Sequence, residues 1–390
     1  MRPIYLDYNA TTPLDPAVTE AMEPYLAPGL DGRFGNPSSS HAYGQETHTA
    51  VEEARAQVAS LLGCASPEVV FTGGGSEADN LALVGVAEAY RDKGNHIITS
   101  QVEHPAVLNS CRYLEKRGYS VTYLPVDQQG RVDPKSVDRA ITSKTILVSI
   151  MHANNETGTL QPIAEIAAVA RQRGVLVHTD AAQSVGKVGT RIDELGVDLL
   201  TVAGHKLYAP KGVGVLYVRS GIVLEPLIHG AGHEGGRRAG TENVPYIVGL
   251  GIACQVAAQA MGEYVPRMRS LRDHLYELLS QRIPGLALNG HPAERLPNTL
   301  NVSFPVVDGE ELLAATPEVA ASTGSACHAG RTEPSGVLMA MGLPRERALG
   351  AVRLSLGKFT TMEDVERAAE VLAGSWLRLA GKQRGKAGPA

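Results

Sequence analysis

Lys206, in the segment AGHKLY, and Asp180, directly after the β-branched run Val175–Thr179, are an amine and a carboxylate that each follow a strand-like stretch. Ligands of open α/β sheets gather outside the carboxyl ends of their strands. A third segment, TGGGSEADN from Thr72 to Asn80, leaves the run Val69–Thr72, crosses three glycines and enters a helical pattern. Such a turn exposes backbone N–H groups at the positive end of a helix and suits a single phosphate. It has neither the dinucleotide spacing nor the Gly-Lys-Ser/Thr ending of a P-loop, which disfavours NAD and ATP. Taken singly, each has a plain alternative: a glycine turn that binds nothing, and two solvated strand ends. Taken together they supply a phosphate cradle, an acidic partner for a pyridinium nitrogen and an amine able to form a Schiff base. Those are the three demands of pyridoxal phosphate (PLP).

Cys327 lies in ASTGSACHAGRTEPSG, a run of Ser, Gly and Thr that reads as a solvent-reachable loop where a thiol can act as a nucleophile. Cys64, Cys111 and Cys254 fall within or beside helical patterns and read as small packing residues. Four scattered cysteines without a Cys-x-x-Cys pair make no disulfide framework. His229 and His233 have the spacing that chelates on one helix face, but Gly230, Gly232, Gly235 and Gly236 oppose a helix there, so no metal is expected. His104, in SQVEHPAV, follows the strand-like Ile97–Ser100. It is either a ligand-side residue or a surface histidine capping a helix.

The elements that must position these groups alternate. Strand-like runs at Val69–Thr72, Ile97–Ser100, Val121–Leu124, Ile146–Met151, Val175–Thr179, Leu199–Val202 and Val213–Val218 are separated by helical patterns such as Thr49–Leu62 and a helix from Pro162 to Gly174, which predicts a largely parallel sheet. After the glycine-rich stretch His229–Gly240, two helical segments are expected between Val244 and Ile283, with a boundary near Met261. Short strands at Asn301–Phe304 and Val352–Ser355 and a helix at Met362–Leu379 then give a smaller α+β unit. The expected division is a large domain over 15–260, a small one over 261–380 joined by residues 1–14, and a disordered tail over 381–390. The 390 residues carry 36 Lys and Arg against 41 Asp and Glu, a net charge of −5, which argues against nucleic acid or an anionic membrane surface as partner. Apolar runs such as Leu81–Ala87 fall far short of a membrane span, and Asp7 interrupts the N-terminal Ile4, Tyr5 and Leu6, unlike a secretory signal. A cytoplasmic chain is expected.

With these residues in view, the chain resembles the cysteine desulfurases of the NifS/IscS type, PLP enzymes of fold type I in the class V aminotransferase group, to which selenocysteine lyases are a close sister family. The resemblance runs from YLDYNATTPLDP at Tyr5 to VRLSLGKFTT ending at Thr361, through GNPSS at Gly35, TGGGSEADN at Thr72, VEH at Val102, NNETG at Asn154, HTDAAQS at His178, GHK at Gly204, GTEN at Gly240 and TGSAC at Thr323. It implies an α/β fold with a mostly parallel central sheet in the large domain and a smaller α+β C-terminal domain. It also implies that Lys206 binds PLP covalently, Asp180 pairs with the pyridine nitrogen, Gln183 contacts the ring hydroxyl and His104 stacks on the ring. Gly75, Ser76 and His205 would bind the phosphate, with Thr241 reaching it from the neighbouring subunit of a homodimer. Asn155 and Arg353 would hold the substrate carboxylate, and Cys327 would take the sulfur as a persulfide.

The implied activity converts L-cysteine to L-alanine and passes sulfur to an acceptor such as an iron-sulfur scaffold protein. Lys206, His104 and Cys327 form its catalytic set. Two residues depart from the desulfurase pattern: Ala203 stands where a phosphate-binding serine is usual, and His328 follows the cysteine as in selenocysteine lyases. L-Selenocysteine is therefore an alternative substrate. A class V aminotransferase is a further alternative, although it would leave Cys327 without a task. An NAD-dependent oxidoreductase and a noncatalytic scaffold are the readings outside this class.

Overall fold

The computed structural model describes residues 2–324, 326–328 and 331–386. Its centre is a seven-stranded sheet in the order Val69–Thr72, Gly214–Val218, Leu199–Ala203, Leu176–Asp180, Thr145–Ser149, His96–Ser100 and Ser120–Leu124. Gly214–Val218 runs antiparallel to both its neighbours, and every other pairing is parallel. The sequences VVFT, HIITS, TILVS, LLTVA and GVLYV are buried at every position. Such unbroken apolar and β-branched strands are what a sheet covered on both faces requires. The fold class expected from the sequence is thus present.

The helix Ala42–Leu62 begins earlier than the apolar periodicity from Thr49 suggests. His41 caps it by accepting the Gly44 N–H at Nδ1, and its opening turns bury Gly44 and Thr47, residues too small or polar to register as an apolar face. It closes on Gly63 at φ +71°, a left-handed position suited to glycine.

A second core gathers Leu6, Leu275, Leu300, Val352, Leu372 and Trp376 around the antiparallel strands Ala287–Leu288, Thr299–Ser303 and Ala351–Ser355. The N-terminal strand Ile4–Tyr5 joins this side by pairing in parallel with Val319–Ala320. One helix, Val244–Arg282, serves both cores: Ile247, Leu250, Ala253 and Cys254 face the first, and Met268, Leu271, Leu275 and Leu279 the second. The two segments expected there are one continuous 39-residue helix with Pro266 inside it, and position 261 lies in its middle. By length and hydropathy this helix could cross a membrane, contrary to the sequence reading. Its buried apolar residues are nonetheless those that pack on the two cores. The last helix, Met362–Lys386, also corrects an expectation, since residues 381–386 continue it instead of being disordered. Once Val365, Ala369, Leu372 and Trp376 dock, each further residue adds a hydrogen bond without a new nucleation cost. Residues 387–390 lie outside the described ones.

Candidate active site

Side-by-side parallel strands deliver their carboxyl ends to one edge of the sheet, and a cavity of about 640 Å³ opens there. Asp180 is the last residue of Leu176–Asp180, and Lys206 ends the single turn Gly204–Lys206 that follows Leu199–Ala203. His104 follows His96–Ser100, while Gly75 and Ser76 follow Val69–Thr72. All of these line the cavity, together with Asn155, Gln183, His205 and Arg353.

The Lys206 ammonium donates to the backbone oxygens of Asn9 and Ala10, both at 2.6 Å. Burial, reinforced by the charge of Arg353, lowers its pKa to about 8, against the pull of Asp7 and Asp180. Asp180 is 6% exposed and accepts the Ala182 N–H at 2.8 Å. Burial raises its pKa, and the Ala182 N–H, His104 and Lys206 act in the opposite sense. His104 satisfies both readings of the sequence: its Nδ1 accepts the Ala106 N–H at 3.1 Å, capping the helix Pro105–Glu115, and its ring still lines the cavity. Burial shifts it towards the neutral imidazole. His205, 3.1 Å from Thr11 Oγ1, is lowered to about 4 by burial and then by Lys206 and its other cationic neighbours.

Gln183 donates to Asn9 O at 2.9 Å and receives the Lys187 amine at 3.3 Å. Arg353 bonds to Asp7 at 2.7 Å and to Asn155 O at 3.0 Å, and its buried Nε has no partner among the described residues. Arg353 lines the cavity, and a guanidinium with an unused donor suits an incoming carboxylate.

The residues fit PLP. The helix Gly75–Ala89 has no side-chain cap, and its first turn closes only at Ala78 N–H to Gly74 O, so the Gly75 and Ser76 N–H groups face the cavity as an anion cradle. Gly74, at φ +148°, takes a conformation few side chains allow. A Cβ on Gly75 would stand 3.1 Å from the Ala203 Cβ, so position 203 lies against the turn and offers it a methyl group where a hydroxyl would donate.

One predicted site residue, Thr241, is not among those that line this cavity. Thr241 is exposed, on the segment before the helix Val244–Arg282. Cys327 belongs to the strand Ala326–His328, paired with Arg331–Glu333 so that Cys327 stands opposite Thr332. The side chains of Cys327 and His328 lie outside the described residues.

Sequence reasoning missed Asn9, which joins the site together. It bonds to Asn155 O, Thr299 Oγ1, Ser355 Oγ and Asn298, and its carbonyl receives both Gln183 and Lys206. It also missed Asp7, and Asp79, whose buried Oδ1 has no hydrogen-bond partner among the described residues. The segment DYNATT carried part of the resemblance, and its uncommon density of polar groups was the available signal.

The family described as aminotransferase class-V matches residues 4–368. The cysteine desulfurase IscS of Dictyoglomus turgidum is 50% identical over 373 residues, covering 95% of this chain and 94% of its own. That of Methanosarcina thermophila is 48% identical over 371 residues, covering 95% and 91%. Among solved structures, a NifS-like protein superposes with a TM-score of 0.89 at 38% identity, over 96% of this chain and 99% of the other. SspA in complex with cysteine gives 0.80 at 38% identity, over 92% and 99%.

Proposed function

The chain belongs to the aminotransferase class-V family, among its cysteine desulfurases, and from that premise we propose that it takes sulfur from L-cysteine, releases L-alanine and passes the sulfur on from Cys327. One observation carries the reading: an amine, a buried carboxylate and an uncapped helix N-terminus converge in one cavity. Bound PLP supplies the electron sink that makes the substrate Cα proton acidic. Gly75, Ser76 and His205 would hold the phosphate, Asp180 would keep a proton on the ring nitrogen, Gln183 would meet the ring hydroxyl and His104 would pack on the ring. Lys206 would hold the cofactor, and its amine would take the Cα proton; a pKa near 8 leaves a useful fraction unprotonated at neutral pH. Asn155 and Arg353 receive the substrate carboxylate. The Cys327 thiolate then bonds to the substrate sulfur as the Cβ–S bond breaks, leaving a persulfide on Cys327, and the three-carbon product gains a proton and leaves as alanine.

The enzyme works as a cytoplasmic homodimer in which Thr241 reaches the phosphate site of the partner subunit, and its sulfur goes to an acceptor such as an iron-sulfur scaffold protein. The exposure of Thr241 and the unpaired state of Cys64, Cys111 and Cys254 support this reading. Ala203 beside the phosphate turn favours comparison with selenocysteine lyases. Initial rates of alanine formation from L-cysteine and L-selenocysteine, measured side by side, test the choice. Turnover of L-cysteine that disappears in Cys327→Ala supports desulfuration, whereas turnover of L-selenocysteine alone overturns it. Borohydride reduction of the PLP-loaded protein followed by peptide mapping labels Lys206; a label elsewhere refutes the cofactor assignment.

A further inference from the structure

Glu156 has no part in the reaction as described, yet it is buried beneath the segment that carries Cys327. Its backbone is fixed from several sides. Asn154 Oδ1 accepts the N–H groups of Glu156 and Thr157, both at 2.9 Å, Asn154 Nδ2 donates to Val102 O at 3.0 Å, and Glu156 O accepts Asn301 Nδ2 at 3.1 Å. The carboxylate is thereby aimed at both ends of the stretch from Gly324 to Ser335. At the far end, the Ser335 hydroxyl donates to Glu156 Oε2. Ser335 is also the N-cap of the helix Gly336–Ala340, its Oγ accepting the Leu338 N–H at 3.2 Å. At the near end, Gly324 approaches so closely at φ +72° that a Cβ there would overlap the same Oε2. Between these ends lie the paired strands Ala326–His328 and Arg331–Glu333.

We infer that Glu156 is a positioning residue for sulfur transfer, its carboxylate bridging the two ends of the Cys327 hairpin and so fixing where the thiol meets the substrate. The inference rests on the proposed role of Cys327. The arrangement gives the buried carboxylate a place: one oxygen atom sits between a hydroxyl donor on one side and a residue without a side chain on the other. Burial raises the Glu156 pKa to about 7, with the Ser335 hydroxyl and the charge of Arg353 acting to lower it. The group is therefore costly to bury as a charge and needs a compensating task.

Loss of the Cα proton requires Lys206 but not Cys327, whereas sulfur transfer requires Cys327, so a clamp on the hairpin affects only the second. The test uses PLP-loaded wild type, Glu156→Ala, Glu156→Gln and Ser335→Ala. It measures deuterium exchange at Cα of L-alanine, single-turnover alanine formation from L-cysteine, and the rate of Cys327 alkylation by iodoacetamide, followed by peptide mass. In Glu156→Ala, alanine formation falls by about tenfold or more and the alkylation rate changes, while Cα exchange stays within about twofold. Glu156→Gln, which keeps the shape and the polar contact, restores most of the transfer rate. Ser335→Ala shifts the same two readouts in the same direction, and keeps the inference testable if Glu156→Ala does not fold. Equal losses in exchange and transfer, or an unchanged alkylation rate, overturn the inference. Wild type that exchanges Cα yet makes no alanine from L-cysteine refutes the proposed reaction instead, and the alkylation rates then still decide whether Glu156 holds the hairpin.

Discussion

Burial acts on Asp180 and Lys187 alike, and their chemistry separates them. Asp180 is held in a site where its ionised form is costly, and burial, with a further push from the Asp180 charge, also raises the pKa of Asp79 and of Glu103, the latter to about 8. A cationic partner at the cavity relieves that cost, which is the physical basis for a tight pair with a ring nitrogen. Asp180→Ala is expected to retain PLP through the phosphate contacts and to lose Cα deuterium exchange by about a hundredfold or more. Unchanged exchange would place the acidic partner elsewhere.

Lys187 is 3% exposed and its pKa is lowered from 10.5 to about 7, first by burial and then by Lys206 and Arg353. The unfolded chain holds the Lys187 proton up to about pH 10.5 while the folded chain releases it above about 7, so this residue destabilises the fold increasingly as pH falls from 10.5 to 7. Lys187→Met should therefore be more stable than wild type at pH 7 by ~3–5 kcal/mol, and that advantage should shrink by ~2–3 kcal/mol at pH 9.5. Urea unfolding at the two pH values measures it. Lys206 and Asp180 were legible in the sequence because the strand-end rule is local. Asn9 was not, because its partners Asn155, Thr299 and Ser355 are distant in the chain and only the fold brings them together.

Strands and helices were legible to different degrees. Every strand of the central sheet coincides with a β-branched run, and in five of the seven, buried at every position, burial on both faces is written into each residue. Helix ends were less readable: Ala42–Leu62 begins on a histidine cap, and Val244–Arg282 faces two cores in succession, which breaks its single apolar stripe into two. The segment after His229 offered only glycines, yet two ion pairs hold it. Glu234 accepts Arg55 through both oxygens at 2.8 and 2.9 Å and the Phe71 N–H at 2.8 Å, and it takes a left-handed φ of +51° to do so. Arg238 bonds to Glu77 at 2.9 Å, whose other oxygen accepts the Gly73 N–H at 2.9 Å. The segment bearing Thr241 is thus tied to the strand Val69–Thr72 and to the glycine turn of its own chain that we propose as the phosphate cradle. Glu234→Ala leaves the buried Arg55 with only the exposed Glu52 as acidic partner among the described residues, and should cost up to ~3–5 kcal/mol of stability in urea unfolding. The same variant should also release PLP faster on dilution. Loss of stability without any change in PLP retention would mean that the tie supports the fold alone.

At the scale of the molecule, the long helix joins two cores, and the stretch from the end of one early helix to the start of the next leaves large apolar side chains uncovered. Leu26 is 60% exposed, Leu30 78%, Phe34 55% and Tyr43 48%, with the Phe34 and Tyr43 rings 5.3 Å apart. Apolar side chains clustered in that way on a single chain mark an association surface. Nothing in the sequence's helical or strand periodicity predicted this patch, because it lies on the connection between two helices and has no repeat to betray it. We expect sedimentation to give a dimer and the pair Leu30→Asp with Phe34→Asp to give a monomer that keeps its far-UV circular dichroism. If Thr241 serves the partner subunit, that monomer must also lose PLP affinity, although every substituted residue lies outside the cavity. Mixing Lys206→Ala and Thr241→Ala chains then separates the alternatives. In a hybrid with shared sites, one of the two sites combines an intact Lys206 with an intact Thr241 from the other chain, and partial activity returns. A monomeric variant with unaltered PLP affinity, together with hybrids that stay inactive, would mean that each site is complete within one chain and that the exposed patch serves some other contact.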